Sequence, residues 1–443
     1  MQESLPKVLV VSINAWKDNS GINTLIDLFK NWEKDKIAQI YTRSSLPSTK
    51  VCNRFFQISE NAVIKSIFNR KKVTGRIVSN EMKIDKDLKE NIEQENSLYS
   101  KIRKRRSQLL SLARELFWVI GHWRTKELRQ FVEDFDADIL FLPVYPTIYM
   151  GLIQNYLIKI TGKPAVCYLA DDNYTYQTCG INPLSYIHRF FLRRQVRNIV
   201  NSCSKMFVIA PKQKEECDRI FGIESIILTK GIDYSQLYYE ELQLNTPIKM
   251  VYTGKLIIGR WKSLVSIAEK LGEINKDTIK ITLDIYTTDQ VKPSILKKLN
   301  RNGCKVRGAI PMNKVAKVQA NSDIVVFVES LDWRYKNLAR LSFSTKLTDY
   351  FKSGKCIFAV GDKDIAPIDY LLRNECAIVS GSYREIGRNL ENIVDNPDLL
   401  KEYSRKSFEI GKKNHNKIII DRNLKSTISN ICELQSQEKN QIN

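Results

Sequence analysis

The chain has 443 residues and a mass of 51.4 kDa; 43% of the residues are hydrophobic and 27% are charged. This balance predicts a globular protein of two or three domains, and it excludes a disordered chain, a collagen-like fibre and a small disulfide-stapled scaffold. The formal net charge of +21 predicts an anionic partner: nucleic acid, an acidic membrane face or a phosphorylated substrate.

The nine cysteines are scattered from Cys52 to Cys432, without a CxxC motif or a Cys/His cluster. This pattern predicts neither a disulfide framework nor a zinc site, and it favours a reducing compartment. The N-terminal residues show no signal peptide pattern. We expect a cytoplasmic protein, with peripheral binding to the inner face of the plasma membrane as an alternative.

Short apolar runs alternate with amphipathic stretches in the first half of the chain. Each strand-like run precedes a helix-like stretch: KVLVVSI and NTLIDLFKNW, DADILFLPV and TIYMGLIQNYL, PAVCYLA and SYIHRFFLRRQVRNIVN, KMFVIAP and KEECDRIF. This alternation is typical of parallel strands joined by crossover helices. Residues 139–158 carry no charge, but Pro143 and Pro146 interrupt them, so we predict a buried strand, a turn and a helix rather than a membrane span.

Residues 60–108 are highly charged with weak apolar periodicity, which predicts an insertion or a solvated helical excursion. The alternation then returns: IKMVYTG and KSLVSIAEKLGEI, IKITLDIYT and VKPSILKKLN, DIVVFVE and STKLTDYFKSG, KCIFAVG and IDYLLRN. We therefore predict an α/β protein with two doubly wound Rossmann-like domains. The predicted boundaries are a first domain at 1–235, a linker at 236–248, a second domain at 249–411, and a closing helix with a polar tail at 412–443.

The first candidate site is a helix start. In an open α/β sheet, ligands bind outside the carboxyl ends of the strands, so the loops between strands and helices are the place to look. The segment SFSTKLTDYFKSGK predicts a helix that Ser344 or Thr345 caps and Gly354 ends. Lys346 then lies in the first turn, where a cation opposes the helix dipole unless an anion lies beside it. The lysine indicates either a phosphate site or a tolerated solvent-facing charge.

The segment YTGKLIIGRWKS is the second candidate. Gly254 allows a tight turn after a strand, and Lys255, Arg260 and Lys262 place three cations before a helix. Such a loop suits a diphosphate, and it is equally typical of the surface of a basic protein.

The first domain offers weaker signals. In KDNSGINT, Gly21 follows the first strand and permits close approach of a phosphate, although such turns are common. The absence of GxGxxG and GxxxxGK[ST] from the sequence argues against dinucleotide oxidoreductases and P-loop enzymes. Asp171, Asp172 and Glu329 each follow a predicted strand, where a carboxylate orients sugar hydroxyls, takes a proton or holds a metal, or simply forms a turn.

Basic residues are concentrated in two places. Residues 101–130 hold nine Lys/Arg against two acidic residues, and 187–198 hold four arginines and no acid. The segment SYIHRFFLRRQVRNIV mixes the arginines with apolar residues. This pattern suits a helix lying on acidic lipid, or a crossover helix with its apolar face on the sheet and its basic face in water.

Together these segments resemble GT-B glycosyltransferases of the retaining nucleotide-sugar family 4 type, which build bacterial surface polysaccharides. The resemblance is strongest in YTGKLIIGRWKSL, VFVES and SFSTKLTDYFKSGKCIFAVG, and it extends to FVIAPKQKEECDRIFG and LTKGID. It implies that the two domains face across a cleft. It also implies a hexosyltransferase that retains the anomeric configuration and needs no cofactor beyond its donor substrate. Because no DxD-like pair stands in an obvious metal position, we predict metal-independent transfer.

The resemblance implies roles for individual residues. Glu329 would face the donor sugar and Asp172 would be the second catalytic residue. The residues implied to bind the donor are Gly21, Gly254, Lys255, Arg260, Lys262, Ser344, Thr345, Lys346 and Asp349. Many members carry two glutamates eight positions apart, where this chain has Leu341 and Asp349. Many also carry a histidine after the strand that is followed here by Ala170.

The expected reaction transfers a sugar from a nucleoside-diphosphate sugar to a hydroxyl of a glycan or a polyprenyl-diphosphate-linked oligosaccharide, in capsule, exopolysaccharide or O-antigen synthesis. An anionic membrane surface is a further expected partner, and nucleic acid is not. The alternatives are a nucleotide-sugar epimerase or phosphorylase of the same fold, and a basic nucleic-acid-binding protein, which the net charge and the run KIRKRRSQ suggest.

Overall fold

The computed structural model describes residues 4–18, 24–80, 82 and 108–442. The chain forms two compact units. The first contains the described residues of Met1–Ile209, Lys214–Leu228 and Asp421–Asn443, and the second contains Ala210–Gln213 and Thr229–Ile420.

The first unit is built on a sheet that has eight strands in the described part of the chain. The strands are β1 Val8–Ser12, β2 Ile37–Tyr41, β3 Arg54–Ile58, β4 Gly75–Val78, β5 Ile139–Pro143, β6 Ala165–Leu169, β7 Lys205–Val208 and β8 Ile226–Ile227. Their order is β4-β3-β2-β1-β5-β6-β7-β8. Every residue of β1, β2, β5 and β6 is buried, so both faces of the sheet are covered, as is usual for parallel strands.

Helices connect these strands. They are α1 Thr24–Phe29, α2 Glu60–Phe68, α3 Gln108–Ile120, α4 Lys126–Phe135, α5 Ile148–Thr161, α6 Pro183–Asn201 and α7 Pro211–Phe221. The uncharged stretch 139–158 forms β5 and most of α5, as predicted. Helix α5 ends at Gly162, whose φ of 57° is left-handed, and α6 begins after Asn182, whose side chain accepts a hydrogen bond from the Leu184 N–H.

The charged stretch 60–108 is described at residues 60–80, 82 and 108, and residues 81 and 83–107 lie outside the described residues. Its described part begins with α2 and β4. Strand β4 pairs antiparallel with β3, with Phe55 opposite Val78. The stretch therefore adds an antiparallel edge strand to a sheet whose other described pairs are parallel.

The second unit has a parallel sheet of six described strands. They are β9 Ile248–Thr253, β10 Ile281–Tyr286, β11 Cys304–Gly308, β12 Ile324–Val328, β13 Cys356–Val360 and β14 Ile378–Ser380, in the order β11-β10-β9-β12-β13-β14. The helices are α8 Arg260–Ile274, α9 Pro293–Leu299, α10 Met312–Ala320, α11 Thr345–Ser353, α12 Ala366–Arg373, α13 Tyr383–Asp395, α14 Leu399–Asn414 and α15 Lys417–Ile442.

Residues 236–248, the predicted linker, lie inside the second unit. Leu242 is buried in its core, and the Tyr239 ring lies 5.8 Å from that of Phe408. The buried Asp323 carboxylate accepts hydrogen bonds from the backbone N–H of Asn245 and of Lys249, at 3.1 and 2.7 Å. These contacts hold the segment against the start of the sheet.

Helix α15 begins in the second unit, and its residues from Asp421 onward belong to the first. In the first unit, the Asn31 side chain donates a hydrogen bond to the Asp421 carboxylate at 2.7 Å, and Leu424 and Ile428 are buried. The described helices include none with the length and hydropathy needed to cross a bilayer.

In each sheet the order of the strands reverses once. In the first, β2 and β5 lie on opposite sides of β1; in the second, β10 and β12 lie on opposite sides of β9. The crevice at such a reversal, outside the carboxyl ends of the strands, is where α/β proteins bind ligands. The predicted α/β class with two Rossmann-like domains is confirmed, and the loops after β1, β5, β9 and β12 are the candidates for a site.

Candidate functional site

The site in the second unit begins with a glycine and a lysine. Gly254 follows β9, and a methyl group at its Cβ position would overlap the Lys346 Nζ and crowd the Tyr252 hydroxyl. The ammonium group therefore occupies space that the missing side chain leaves open. It also lies 5.4 Å from the centre of the Tyr252 ring, within the range of a cation–π contact. The predicted residues Gly254 and Lys346, 92 positions apart in the sequence, are brought together.

Lys346 is a partly buried cation in the first turn of α11. It forms no ion pair or hydrogen bond with any described residue. Burial and the nearby Arg260 and Lys255 cations lower the pKa of its ammonium group from the usual 10.5 to about 8, although Glu329 and Asp289 oppose this shift. The structure thus holds a positive charge where both desolvation and like charges disfavour it.

The N-terminus of α11 adds to this positive potential. Ser344 is the N-cap residue, but its side chain accepts no capping hydrogen bond. The N–H groups of Thr345 and Lys346 have no intrahelical partner, and the helix dipole is positive at this end. An anion beside this turn would satisfy both the N–H groups and the ammonium group.

Arg260 forms a bidentate ion pair with Glu329. It is the first residue of α8, and its Nη2 lies 2.8 Å from each carboxylate oxygen of Glu329, which follows β12. Burial raises the pKa of Glu329 above its usual value, and Arg260 and Lys346 oppose this shift. Burial would lower the pKa of Arg260, but the Glu329 carboxylate outweighs burial and raises it. The pair is held in a partly desolvated position beside Lys346.

The turn before Arg260 has an uncommon backbone. Ile258 and Gly259 adopt left-handed φ values of 59° and 74°. A β-branched residue rarely adopts this conformation, and such outliers cluster where the surrounding structure imposes them, often at functional sites. A side chain at Gly259 would overlap the Ser330 hydroxyl, so the loops after β9 and β12 are in close contact here.

Lys262 has an acidic partner of its own. Its Nζ lies 2.6 Å from Asp332 Oδ2, and Arg334 Nη2 lies 2.8 Å from the same oxygen. Arg334 and Lys262 hold the pKa of Asp332 well below its usual range. This ion pair connects Lys262 to the loop that follows β12, and its contact with the diphosphate stays a prediction.

Asp349, on α11, is paired with Lys230. The Lys230 Nζ donates to Asp349 Oδ1 at 2.9 Å, and the Asp349 side chain is 41% exposed. Its second oxygen has no hydrogen-bond partner among the described residues. This carboxylate is accessible, as its predicted contact with ribose hydroxyls requires.

Three residues of this region were not predicted: Lys230, Asp289 and Tyr252. Asp289 accepts a hydrogen bond from the Leu256 N–H at 2.6 Å, and the Tyr252 hydroxyl donates to the Lys255 carbonyl at 2.7 Å. Together they fix the loop that carries Lys255. Asp289 could have been recognised from the sequence, because it follows the predicted strand that forms β10.

The first unit has a pocket of about 500 Å³ at the carboxyl ends of β1, β5 and β6. Its lining includes polar and aromatic side chains: Asn14, Trp16, Tyr145, Asp171 and Asn173. Ala170, at the position where many members of the resembled family carry a histidine, also lines it. Buried Gln39 holds the loop after β1, because its side chain bonds Ser12, the Asn14 carbonyl and the Trp16 N–H.

Asp172, the predicted second catalytic residue, is buried and forms a turn. Its Oδ1 accepts from the N–H groups of Tyr174 and Thr175 at 3.2 and 2.8 Å, and its Oδ2 accepts from the Thr175 hydroxyl. The neighbouring Asp171, rather than Asp172, lines the pocket. Gly21 lies outside the described residues.

No group of three or more His, Cys, Asp or Glu residues in the described part of the chain is arranged to hold a metal ion. The cations that meet at the second-unit site are Lys346, Lys255 and Arg260. Glu329 and Asp289 lie near these three cations, so three positive charges are set against two negative ones and the cluster keeps a net positive charge.

Comparison with known proteins supports the fold. The chain matches no protein-family model and no curated protein. Among solved structures, it is similar to Anabaena HepE in complex with UDP, with a TM-score of 0.59, 11% identity and coverage of 96% of this chain and 100% of the other. It is also similar to α,α-trehalose 6-phosphate synthase from Burkholderia multivorans, with a TM-score of 0.58, 8% identity and 98% coverage of both chains. The predicted GT-B fold class is confirmed.

The ion pair yields a stability prediction. Replacing Arg260 by Ala leaves the buried Glu329 carboxylate without its partner, so we expect the free energy of unfolding of the second unit to fall by about 3 kcal/mol. The double variant Arg260→Met/Glu329→Gln removes both charges and should recover most of this loss. Chemical denaturation measures both. Wild-type stability of Arg260→Ala would contradict the proposed role of the guanidinium.

Proposed function

We propose that the protein is a glycosyltransferase that takes a hexose from a nucleoside-diphosphate sugar. The observation that carries the proposal is the unpaired, partly buried Lys346 ammonium at the N-terminus of α11, beside Lys255 and Arg260. A dianionic diphosphate matches these cations and the free N–H groups of the helix. The similar HepE protein has been crystallised in complex with UDP and with UDP-glucose, which supports the same ligand class here.

In this proposal the second unit binds the donor and stabilises the leaving group. As the bond between sugar and phosphate breaks, negative charge grows on the departing diphosphate. Lys346 and the N-terminus of α11 lie together, with Lys255 near them, before any donor binds, so little reorganisation would be needed to stabilise that charge. Arg260 is held by Glu329, and Asp349 presents a carboxylate oxygen to the ribose hydroxyls. In this proposal the protein's own cations stabilise the diphosphate in place of a metal ion.

The remaining roles are proposals that rest on the resemblance. The acceptor is proposed to be a hydroxyl of a glycan or a lipid-linked oligosaccharide, in surface polysaccharide synthesis, and the transfer is proposed to retain the anomeric configuration. The polar and aromatic pocket of the first unit is suited to sugar hydroxyls and rings. The catalytic roles of Glu329 and Asp172 stay predictions, and the turn that Asp172 forms makes Asp171 the better candidate for contact with substrate.

The donor class can be tested by thermal shift with UDP-, GDP-, ADP- and CMP-sugars. A ligand at about 100 times its Kd should stabilise the protein by about 2.7 kcal/mol. In Lys346→Met the affinity should fall by about 10- to 100-fold, because a charge-assisted hydrogen bond is lost. The exposed Lys352, on the same helix, supplies the control Lys352→Met, which should bind as the wild type does.

Failure of all four nucleotide sugars to shift the melting temperature would refute the proposal. Interconversion of a labelled donor without an acceptor would instead indicate an epimerase, and phosphate-dependent cleavage would indicate a phosphorylase. A salt-dependent gel shift with nucleic acid, without any donor binding, would favour the nucleic-acid-binding alternative.

Donor binding should depend on pH through Lys346. The ammonium group is protonated below a pKa of about 8, and it loses its charge above that value. The diphosphate of a nucleotide sugar keeps its charge in this range, so the Kd should be constant below about pH 8 and rise by up to tenfold per pH unit above it. Isothermal titration calorimetry measures this profile, which should be flat in Lys346→Met.

The same pKa predicts an opposite trend in stability. Folding favours the neutral amine, so the free energy of unfolding attributable to Lys346 should increase as the pH rises from about 8 toward the usual 10.5. The difference between wild type and Lys346→Met in chemical denaturation isolates this contribution. A wild-type Kd that does not change up to about pH 9.5 would contradict the role of the ammonium charge.

Gly254→Ala tests the space that the ammonium occupies. The added methyl group would overlap Lys346 Nζ, which is the end of a flexible side chain and can move away. We therefore expect a folded protein whose melting temperature changes by only a few degrees, and donor affinity reduced by about tenfold or more. Gly180, whose added Cβ would meet no atom within 4 Å, provides the control Gly180→Ala. Donor affinity equal to the wild type in Gly254→Ala would count against the assigned position of Lys346.

A further inference from the structure

Helix α3 of the first unit buries its charged residues and exposes its aliphatic ones. Glu115 is 5% exposed and Trp118 is fully buried, whereas Leu116, Val119 and Ile120 are 56%, 50% and 56% exposed. In an amphipathic helix at a protein surface, the charged side chains usually face water and the aliphatic side chains face the core. Exposed aliphatic side chains that form a continuous face usually mark a site of contact with a partner or a membrane.

A buried polar network keeps α3 in this orientation. Arg114 Nε donates to Glu60 Oε2 at 2.7 Å, and the Trp118 indole donates to the same oxygen at 2.9 Å. Glu115 Oε2 accepts from the Tyr149 N–H at 2.9 Å. Rotating α3 to hide its aliphatic residues would break these hydrogen bonds and expose Trp118. The outward position of the aliphatic face is therefore enforced by the core.

The loop between α2 and β4 lies beside the end of α3. The Thr74 hydroxyl donates to the His122 carbonyl at 2.9 Å, which connects the two segments. Phe68, the last residue of α2, is 87% accessible, and the loop that follows it exposes Arg70, Lys71 and Lys72. Because α2 packs against α3, an aromatic ring and three cations are exposed in the same part of the first unit as the aliphatic residues of α3.

Helix α6 packs against α3, with His188 Nε2 3.5 Å from Glu115 Oε1. Its outward side exposes Ile187, Phe190 and Phe191, each about half accessible, and Arg194 is also exposed. The helix that packs against α3 thus also exposes aromatic and aliphatic residues. The sequence suggested two interpretations of the 185–200 segment, a crossover helix and a helix lying on lipid. Its residues Leu192, Val196 and Ile199 pack into the core, as in a crossover helix, and its exposed residues remain available for contact with lipid.

We define the basic apolar face by its exposed residues on α2, the α2–β4 loop, α3 and α6. They are Lys65, Phe68, Arg70, Lys71, Lys72, Leu116, Val119, Ile120, Ile187, Phe190, Phe191 and Arg194. The acidic residues of the described segments 60–80, 108–120 and 183–201 are Glu60 and Glu115, and both are buried. The face thus combines exposed cations and apolar side chains without an exposed carboxylate in those segments.

We propose that this basic apolar face docks on an anionic lipid bilayer. Apolar side chains between cations suit the boundary of headgroups and acyl chains, where the cations meet lipid phosphates and the apolar side chains leave water. A protein partner that recognised this face would place carboxylates opposite individual cations, whereas the cations here are long, exposed side chains of the kind that reach lipid phosphates while apolar residues enter the bilayer. The inference goes beyond the proposed function, because it concerns where the protein acts and does not depend on the donor.

The test is flotation of the full-length protein with phosphatidylcholine vesicles, with and without phosphatidylglycerol, at low and high salt. We expect binding to the phosphatidylglycerol vesicles that weakens as salt screens the charges. Arg70→Glu/Lys71→Glu/Lys72→Glu should reduce partitioning by on the order of a hundredfold or more. The matched control reverses Lys292, Lys297 and Lys298, which are exposed on the second unit, and should bind as the wild type does.

A second pair of variants tests the apolar contribution. Leu116→Ser/Val119→Ser should reduce partitioning by about tenfold or more, because two exposed aliphatic side chains no longer enter the lipid. Leu434→Ser, at a 61% exposed leucine of α15, is its control and should bind normally. Circular dichroism and the thermal shift with nucleotide sugar should be unchanged in all these variants, so a folding defect or a failure of donor binding is detected separately.

Three results would overturn the proposal. The first is a wild-type protein that does not float with anionic vesicles at low salt. The second is an equal loss of binding in the control charge reversal, which would assign binding to net charge rather than to this face. The third is a wild-type dimer in analytical ultracentrifugation that Leu116→Ser/Val119→Ser converts to a monomer without lipid binding, which would make the face a contact between copies of the chain.

Discussion

A partly buried ammonium group without a paired carboxylate is the constraint on which the second-unit site depends. Lys346 is placed by three independent features: the first turn of α11, the absence of a side chain at Gly254, and the ring of Tyr252. The neighbouring Arg260 is already neutralised by Glu329. The remaining positive charge is held ready in a place that water solvates poorly, which is costly for an unliganded protein and useful for one that binds an anion.

The two units have the same kind of strand-order reversal but differ in the chemistry at that point. In the second unit, that point carries cations and a helix N-terminus. In the first, it carries amide, aromatic and carboxylate side chains around a pocket of about 500 Å³. The same fold therefore presents a surface suited to phosphates in one unit and a surface suited to hydroxyls in the other. Fold alone does not determine such a difference, because it lies in the residues of the loops.

Much of the architecture could be predicted from the sequence, since apolar runs and amphipathic stretches follow directly from burial in a covered parallel sheet. Lys346 was also recognisable, because a cation in the first turn of a helix conflicts with the dipole. The ion pairs were not predictable: Arg260 and Glu329 are 69 residues apart, and Lys262 and Asp332 are 70 apart. Asp171 and Asp172 look alike in the sequence, and only the hydrogen bonds of the turn distinguish them.

The last helix has a consequence for dividing the protein. Because α15 starts among residues of the second unit and its part from Asp421 onward packs in the first, neither unit is a single continuous stretch of chain. A fragment that stops at residue 228 would lack the segment containing Leu424 and Ile428, and would leave the apolar surface beneath them open to water. Expression of the amino-terminal half alone would therefore yield an incomplete core prone to aggregation, unless the missing helix were supplied in trans.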